Sequence, residues 1–587
     1  MATARARRPA ARRPANRQPA NRRPAARRRP ARRAGARRAG GGRAVSAARR
    51  PAGGGRDRRA QFVAPRPGRP RACAPGPSAA VVGGGIAGLA AATALAERGV
   101  RVTLYEREEV LGGRVAGWPV TLADGSRATM SRGFHAFFRQ YYNLRALLRR
   151  ADPGLRALTA LPDYPLWHAA GLREGFSRVP RTPPWNALGY LALSPACGAR
   201  DLLRMRPSAA LPLLDVRVPE VYERLDGISA RAFLDAIRFP PAARHAAFEV
   251  FSRSFFADPG ELSAAEMVLM CHVYFLGSSE GLLFDVPREP FPAALWEPLA
   301  RHLGGLGAEI RAGAAVRRVE PLPCGGFEVL AASPGARRHD AVVLALDTAG
   351  LRGLVARSPR LGDPGWRATI AALRTAPPFL VSRLWLDRPV AAGRSGFLAT
   401  GGFGTLDNVS VLDRWEGEAA RWAARTGGSV VELHAYALPH HADPAGQQRL
   451  LRAELGRVYP ETRAARVLDA RHLWREDCPL FAVGGHAGRP AVRTPHPRLT
   501  LAGDLVRTGL PVALMERAAT SGLLAANALL AGWGLAGHPL WTVPGRGRFA
   551  ALRALARLGR APSPTHGRPA RPAEPAVPAE PGGPAAS

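Results

Sequence analysis

Three consecutive glycines between a β-branched run and an alanine-rich run constrain this chain more than any other feature. Ser78-Ala79-Ala80-Val81-Val82 reads as a short buried strand, and Gly83-Gly84-Gly85-Ile86-Ala87-Gly88 follows it. The Ala- and Leu-rich segment to about Glu97 reads as a helix that Gly99 ends. This is G-x-G-x-x-G at a strand-to-helix turn. Gly83 permits the tight turn, Gly85 lets the backbone approach a pyrophosphate, and Gly88 lets the helix lie close to the strand. Ile86 and Ala87 head the helix, whose unpaired N–H groups and positive dipole end suit phosphate. Val100–Tyr105 alternates like a second strand. Glu106 ends it, 23 residues after Gly83, where an acid accepts both ribose hydroxyl protons. The plain alternative is a glycine-rich turn with no ligand, and the placed acid weighs against it.

The same stretch, residues 78–96, carries no charge over 19 positions, which is membrane-span length. Its interior glycines and its division into a strand-like and a helical half argue otherwise. No other run is better, so no transmembrane helix is expected.

Composition removes several chemistries. The 587 residues include 84 basic side chains, and every one is Arg. A Schiff-base lysine, a Walker-type lysine and a lysine general base are therefore excluded. Cys73, Cys197, Cys271, Cys324 and Cys478 show no C-x-x-C spacing. That disfavours a disulfide framework or thiolate zinc site and fits a reducing compartment. A hydrophobic content of 46% supports two domains' worth of core.

The net charge of +39 is lopsided, because residues 1–77 hold 24 Arg and one acid, Asp57. This Arg/Ala/Pro/Gly arm is expected to be disordered, as is the Pro/Ala-rich tail 561–587. The arm suits nucleic-acid phosphates, an anionic membrane at roughly 1 kcal/mol per Arg, or simple solvation. It has no apolar h-region, so it is not a secretory signal.

Further along, Glu106-Arg107 leads into Glu108-Glu109-Val110-Leu111-Gly112-Gly113-Arg114. The glycine pair lets the chain pass a phosphate, and Arg114 can pair with it bidentately. Near the other end, Leu499-Thr500-Leu501-Ala502-Gly503-Asp504 reads as a buried strand ending in a glycine and an acid that can meet a polyol. A helix over about Val512–Leu530 follows, and its N-terminus suits negative charge on a reduced flavin. A cofactor touched at both ends of such a span is long, as FAD is.

Taken together, these motifs resemble the FAD-dependent amine oxidase and carotenoid desaturase superfamily over about residues 79–535. Gly133-Phe134-His135-Ala136-Phe137-Phe138, Tyr141 and Asn143 look like the desaturase branch's G-L-H-x-F-F-x-x-Y-x-N element. Glu261-Leu262-Ser263-Ala264 looks like its E-L-S-A helix start, and Leu384–Pro389 resembles its W-F-D-R strand. Met515-Glu516 matches S-M-E-G-A, with Leu514 and Arg517 in place of Ser and Gly. The string SRGFHAFFRQYYNLRALLRR looks most like isorenieratene synthases, flavoproteins that turn β-carotene end rings aromatic with a methyl shift.

The resemblance implies an α/β fold. A discontinuous Rossmann-like, glutathione-reductase-type FAD domain would span 78–150, 288–350 and 490–540. An inserted α+β substrate domain would span 151–287, mainly helical, and 351–489, mainly extended. Glu309–Val319 reads as a strand pair with Val316 packed on the adenine. Residues 340–346 read as a buried strand. Gly133, Phe134, Met515 and Glu516 join the FAD contacts.

A polyene offers no charge to grip, so its binding must come from apolar area at about 25 cal/mol per Å². Phe251, Phe255, Phe256, Met267, Met270, Tyr274, Phe275, Leu282, Leu283 and Phe284 are tunnel candidates as a set; each alone is equally an ordinary core residue. His135 is the candidate for polar chemistry, or else a histidine bonded in a turn. Arg132 can pair with flavin, close the tunnel mouth or sit in solvent. Glu516 can steady a helix start or form an ion pair. His434, His440 and His441 read as surface residues of a Pro-flanked loop, and no metal site is expected.

The expected protein is an FAD-dependent oxidoreductase acting on an apolar carotenoid, cytoplasmic and peripheral to the membrane, with no specific nucleic-acid partner. Its electron acceptor is left open. An amine or porphyrinogen oxidase is the alternative, though amine oxidases often place a Lys near the flavin and this chain has none. A nucleic-acid or membrane-surface protein acting through the arm is the remote one.

Overall fold

The computed structural model describes residues 57–195, 198–239, 255–332 and 335–558. Phe251, Cys197, residues 1–56 of the arm and the tail 561–587 lie outside them.

A five-stranded parallel sheet carries the glycine turn. Its spatial order is Glu309–Arg311, Arg101–Tyr105, Ser78–Val82, Ala341–Leu344 and Leu499–Leu501. The inner strands are apolar and almost wholly buried, as strands of a parallel sheet covered on both faces are. In register, Val82 faces both Tyr105 and Leu344, and Leu344 faces Leu501. One rim of the sheet therefore presents Gly83, Glu106, Ala345 and Ala502 side by side.

Two helices, Ile86–Glu97 and Leu514–Gly532, pack on each other against this sheet. Their approach explains the alanine-rich composition. A Cβ on Gly522 would sit 2.2 Å from the Ala87 carbonyl oxygen. Residues 309–319 do not form a strand pair. Glu309–Arg311 extends the parallel sheet, whereas Val316–Pro321 pairs with Phe327–Ala331 in a separate three-stranded antiparallel sheet.

The second layer is a seven-stranded sheet. It runs Val467–Arg475, Phe379–Leu386, Ser429–Ala435, Asn408–Val411, Phe397–Gly401, Leu166–His168 and Arg173–Glu174. Five of these strands come from residues 351–489, and the last two from 151–287, which beside its helices also holds the strands Leu158–Ala160 and Phe284–Pro287. Ser263 caps the helix Ala264–Cys271 by accepting from the Ala265 N–H.

The arm ends earlier than its composition implies. Residues 57–77 are ordered against the core. Gln61–Val63 pairs antiparallel with Leu540–Thr542. The buried Asp57 carboxylate accepts from the Ser279 N–H and from Arg548, each at 2.7 Å. The buried acid and the short strand Gln61–Val63 tie this segment down, and a window dominated by Arg and Pro hides them. Among the described residues no helix is long and apolar enough to cross a membrane, and no cluster of potential metal ligands is present.

Candidate active site

A cavity of about 810 Å³ runs from the rim of the parallel sheet to the seven-stranded sheet. That lies in the upper part of the usual range for small-molecule sites. Gly83, Gly85, Ile86, Ala87, Glu106, Arg107, Gly112, Gly113, Arg114, Val316, Gly503, Asp504 and Met515 line its sheet end.

The glycines there divide by role. Gly83 has φ 111°, and a Cβ on it would meet the Ala345 carbonyl oxygen at 2.3 Å, so the turn itself demands glycine. Gly88 does not line the cavity; its Cβ would fall 1.8 Å from the Gly83 oxygen, so it serves helix–strand packing. Gly85 differs from both. Its φ is an ordinary −77°, and its nearest neighbour would be the Gly113 Cα at 3.8 Å. The protein leaves room for a methyl group at Gly85, so the glycine there keeps a surface clear for a ligand. No side chain caps the helix that begins beside it, which leaves its first N–H groups free for an anion.

Polar groups complete this end. Glu106 accepts from the Gly84 N–H at 2.7 Å and from the Glu108 N–H at 3.0 Å, which holds its carboxylate at the strand end. Arg114 pairs with Asp504; burial works against the guanidinium charge, but Asp504 outweighs it and raises its proton affinity. Gly503 donates its N–H to Ser521 Oγ at 2.8 Å. Arg107 is largely exposed beside Glu108 and Asp347. The bare glycine cradle, the uncapped helix and the carboxylate at the strand end fit the phosphates and ribose of FAD.

The other end is aromatic. Phe134 stacks on Phe397 at 4.2 Å, and Tyr164 lies 4.8 Å from the same ring. Phe256 packs against Tyr436 at 4.8 Å and Phe379 at 5.0 Å, and all six rings line the cavity. Of the tunnel candidates, Phe255, Phe256, Met270 and Tyr274 line it, whereas Met267, Phe275, Leu282, Leu283 and Phe284 do not. Met267 and Phe284 are core residues, and Phe275 packs with Phe176 and Tyr190 instead.

His135 also lines the cavity. Its Nδ1 lies 2.8 Å from the Gly133 carbonyl, which can only accept, so Nδ1 carries the hydrogen and Nε2 is a free acceptor. Burial pushes this imidazole down to about 4. Arg132 is not in solvent but pairs with Asp477 at 2.6 Å.

Three expectations need correction. Glu516 does not reach the cavity; it is buried and accepts the N–H groups of Asn143 and Leu144 at 2.8 and 2.9 Å, capping the helix Tyr142–Leu148. Burial pushes its carboxyl up to about 8. Gly133, with φ 95°, also lies off the cavity wall; a Cβ there would meet His434 Cε1 at 2.3 Å, so its glycine makes space for that ring. His434 is no surface residue. It lies in the strand Ser429–Ala435, 1% exposed, between Glu432 and Tyr436. His440 and His441 are exposed.

Sequence reasoning missed two buried charge clusters. One is Arg383–Glu432–His434 with Tyr436 and Asn408. The alternation of Glu432, His434 and Tyr436 places them on one face of a strand, which is the signal that was present. The other is Glu266 between Arg489 and Arg517. There the guanidinium Nε of Arg489 holds the Leu505 carbonyl at 2.8 Å and that of Arg517 the Val512 carbonyl at 2.9 Å. No local pattern links residues so far apart in sequence.

The family model described as flavin containing amine oxidoreductase matches residues 86–530. The chain is 68% identical over 504 residues to a carotenoid phi-ring synthase of Streptomyces griseus, covering 86% of this chain and 97% of that protein. It is 29% identical over 591 residues to a carotenoid phi-ring synthase of Chlorobaculum tepidum, covering 80% and 91% respectively. Among solved structures, cyclohexylamine oxidase from Brevibacterium oxydans superposes with a TM-score of 0.57 at 16% identity, covering 78% of this chain and 99% of that one, a likeness of mixed α/β fold. A glycine cradle suited to FAD and a family match spanning most of the sequence lead to one conclusion: the chain belongs to the flavin-containing amine oxidoreductases and is an FAD-dependent oxidoreductase.

Proposed function

We propose that this enzyme oxidises a carotenoid, desaturating β-rings with methyl migration to give aromatic end groups. One observation carries the reading: the FAD cradle opens directly into a chamber walled by aromatic rings. Similarity to the two phi-ring synthases supports it. In this reading the parallel-sheet portion (78–150, 288–350 and 490–540) is a Rossmann-like FAD domain. Residues 151–287 and 351–489 hold the substrate.

FAD held by the glycine turn, Glu106 and Arg114 would supply a two-electron oxidant able to accept hydride. The chain's residues do the rest. Phe134, Tyr164, Phe256, Phe397 and Tyr436 bury the end ring, at about 25 cal/mol per Å² of apolar area. Their faces also stabilise a ring cation, by about 0.5–2 kcal/mol per well-placed ring. Each desaturation removes one hydride and one proton, so a base must stand in the same chamber. His135, neutral and with Nε2 free, is one candidate.

The substrate resides in lipid, and we propose a peripheral contact with the cytoplasmic membrane surface. The helix Trp185–Leu193 supports this. It exposes Trp185, Leu188 and Leu193 at 63%, 53% and 56%, as an interfacial helix does. Expression in bacteria that make β-carotene tests the function. Aryl-ring pigment on chromatography supports it; unchanged β-carotene beside a yellow, FAD-loaded protein removes it.

A further inference from the structure

We infer that Tyr436, backed by His434 and Glu432, takes the ring proton released in each oxidation. This inference rests on the carotenoid reading above. Tyr436 lines the aromatic chamber, and the three side chains form a continuous line from the cavity wall into the core.

The hydrogen positions follow from the partners. Two groups meet His434 Nε2: Glu432 Oε1 at 2.9 Å, which only accepts, and the Phe134 N–H at 3.3 Å; the shorter, charged contact decides, so Nε2 carries a hydrogen. His434 Nδ1 is therefore the lone-pair side, and the Tyr436 hydroxyl, 2.5 Å away, donates to it. The Tyr436 oxygen meanwhile accepts from Asn408 Nδ2 at 3.1 Å. Arg383 grips the other Glu432 oxygen at 2.6 and 3.0 Å. Burial alone would raise the Glu432 carboxyl, but Arg383 and His434 hold it down at about 2, so it is ionised. His434, Glu432 and Arg383 are each at most 3% exposed. Taking such a cluster out of water is costly, and the Arg383–Glu432 pairing offsets that cost.

The geometry supports one balanced step. It starts from an end ring that has lost a hydride, for which bound FAD would be the acceptor, and so carries a cationic carbon. A C–H bond on the neighbouring carbon breaks, and its electron pair becomes the new ring double bond. The proton passes to the Tyr436 oxygen while the phenolic hydrogen moves to His434 Nδ1. The resulting imidazolium faces the Glu432 carboxylate, so the positive charge leaves the substrate and comes to rest against an anion. No electrons move beyond those of the hydride. The relay resets when the imidazolium returns its proton through Tyr436 to water that enters the chamber as product departs. His135 lacks such support: no carboxylate bonds its ring, and burial, His434 and Arg132 all oppose a second proton there.

The test uses purified FAD-loaded enzyme with β-carotene in vesicles or detergent. Tyr436→Phe keeps the ring and its packing against Phe256. It should retain FAD content and a KM within about threefold while kcat falls about 100-fold or more, the span a general base contributes. With β-carotene deuterated at the ring carbon that loses a proton, the isotope effect on kcat should be larger in this variant than in the parent. His434→Gln provides an independent variant with the same expected loss of kcat. A Tyr436→Phe enzyme with kcat within about threefold of the parent overturns the assignment, as does loss of FAD and KM in step with kcat. Failure of the parent enzyme itself to form aryl-ring product removes the carotenoid reading and the assignment together.

Discussion

Glu266 serves two buried guanidinium groups at once, and this makes the two sides of its ion pair unequal. Arg517 Nη2 lies 2.7 Å from one carboxylate oxygen, Arg489 pairs with the other, and the Tyr222 hydroxyl donates to that second oxygen at 2.9 Å. Burial alone would raise the Glu266 carboxyl, but the two arginines hold it at about 2 instead of 4.5. That depression corresponds to about 3 kcal/mol of folded-state stabilisation. Because the folded value lies below the unfolded one, this contribution is present above about pH 4.5 and is lost as pH falls toward 2.

Glu266→Gln leaves two buried cations facing each other, with a cost of about 3–5 kcal/mol. Arg517→Met leaves a balanced Arg489–Glu266 pair. Its main loss is the donors to the Val512 and Asp504 carbonyls, about 1–3 kcal/mol. Glu266→Gln should therefore melt below Arg517→Met, by a few degrees for a chain of this size. Both should release FAD more readily than the parent, because both slacken the loop that carries Asp504. Thermal unfolding of the FAD-loaded proteins at neutral pH, followed by flavin fluorescence, measures this. An Arg517→Met protein that melts at or below Glu266→Gln refutes the charge argument.

Three further outcomes are expected. Gly85→Ala should leave apoprotein stability within about 1 kcal/mol of the parent, since its Cβ meets nothing closer than 3.8 Å, yet abolish FAD retention; Gly83→Ala should lower apoprotein stability itself, by about 1–2 kcal/mol for the left-handed φ and more for the contact with Ala345. Flavin absorbance and urea unfolding separate the two. A chain starting at Asp57 should keep FAD and activity, whereas one starting at Ser78 should lose about 3–5 kcal/mol, because Arg548 loses its buried partner Asp57 and Leu540–Thr542 loses its paired strand. Replacing both Trp185 and Leu188 with Glu should reduce co-sedimentation with anionic lipid vesicles without changing FAD content.

Local sequence carried the glycine turn well, because each structural demand there falls on one residue in one short turn. Gly83 needs a positive φ, Gly85 needs an open face, and Glu106 needs only to follow a strand. Glu516 misled for the opposite reason. Its neighbours Leu514 and Met515 reach the cavity, but the direction of its own side chain is set by the helix Tyr142–Leu148, far away in sequence. His434 misled because Pro439 and two more histidines nearby suggested a loop, while the apolar alternation before it belonged to a central strand. The chamber was legible only as a composition: Phe134, Phe397 and Tyr436 meet through a sheet whose strand order no motif announces.

The parallel sheet has a consequence for biosynthesis. Its first two strands leave the ribosome early, but Leu499–Leu501 completes one flank, and Asp504 and Met515 arrive later still. Until then the Ala341–Leu344 edge waits unpaired, a sticky template for other nascent chains, and the long sequence separations slow its closure. A prematurely terminated product would lack Asp504 and Met515 as well as the flanking strand, and should stay colourless.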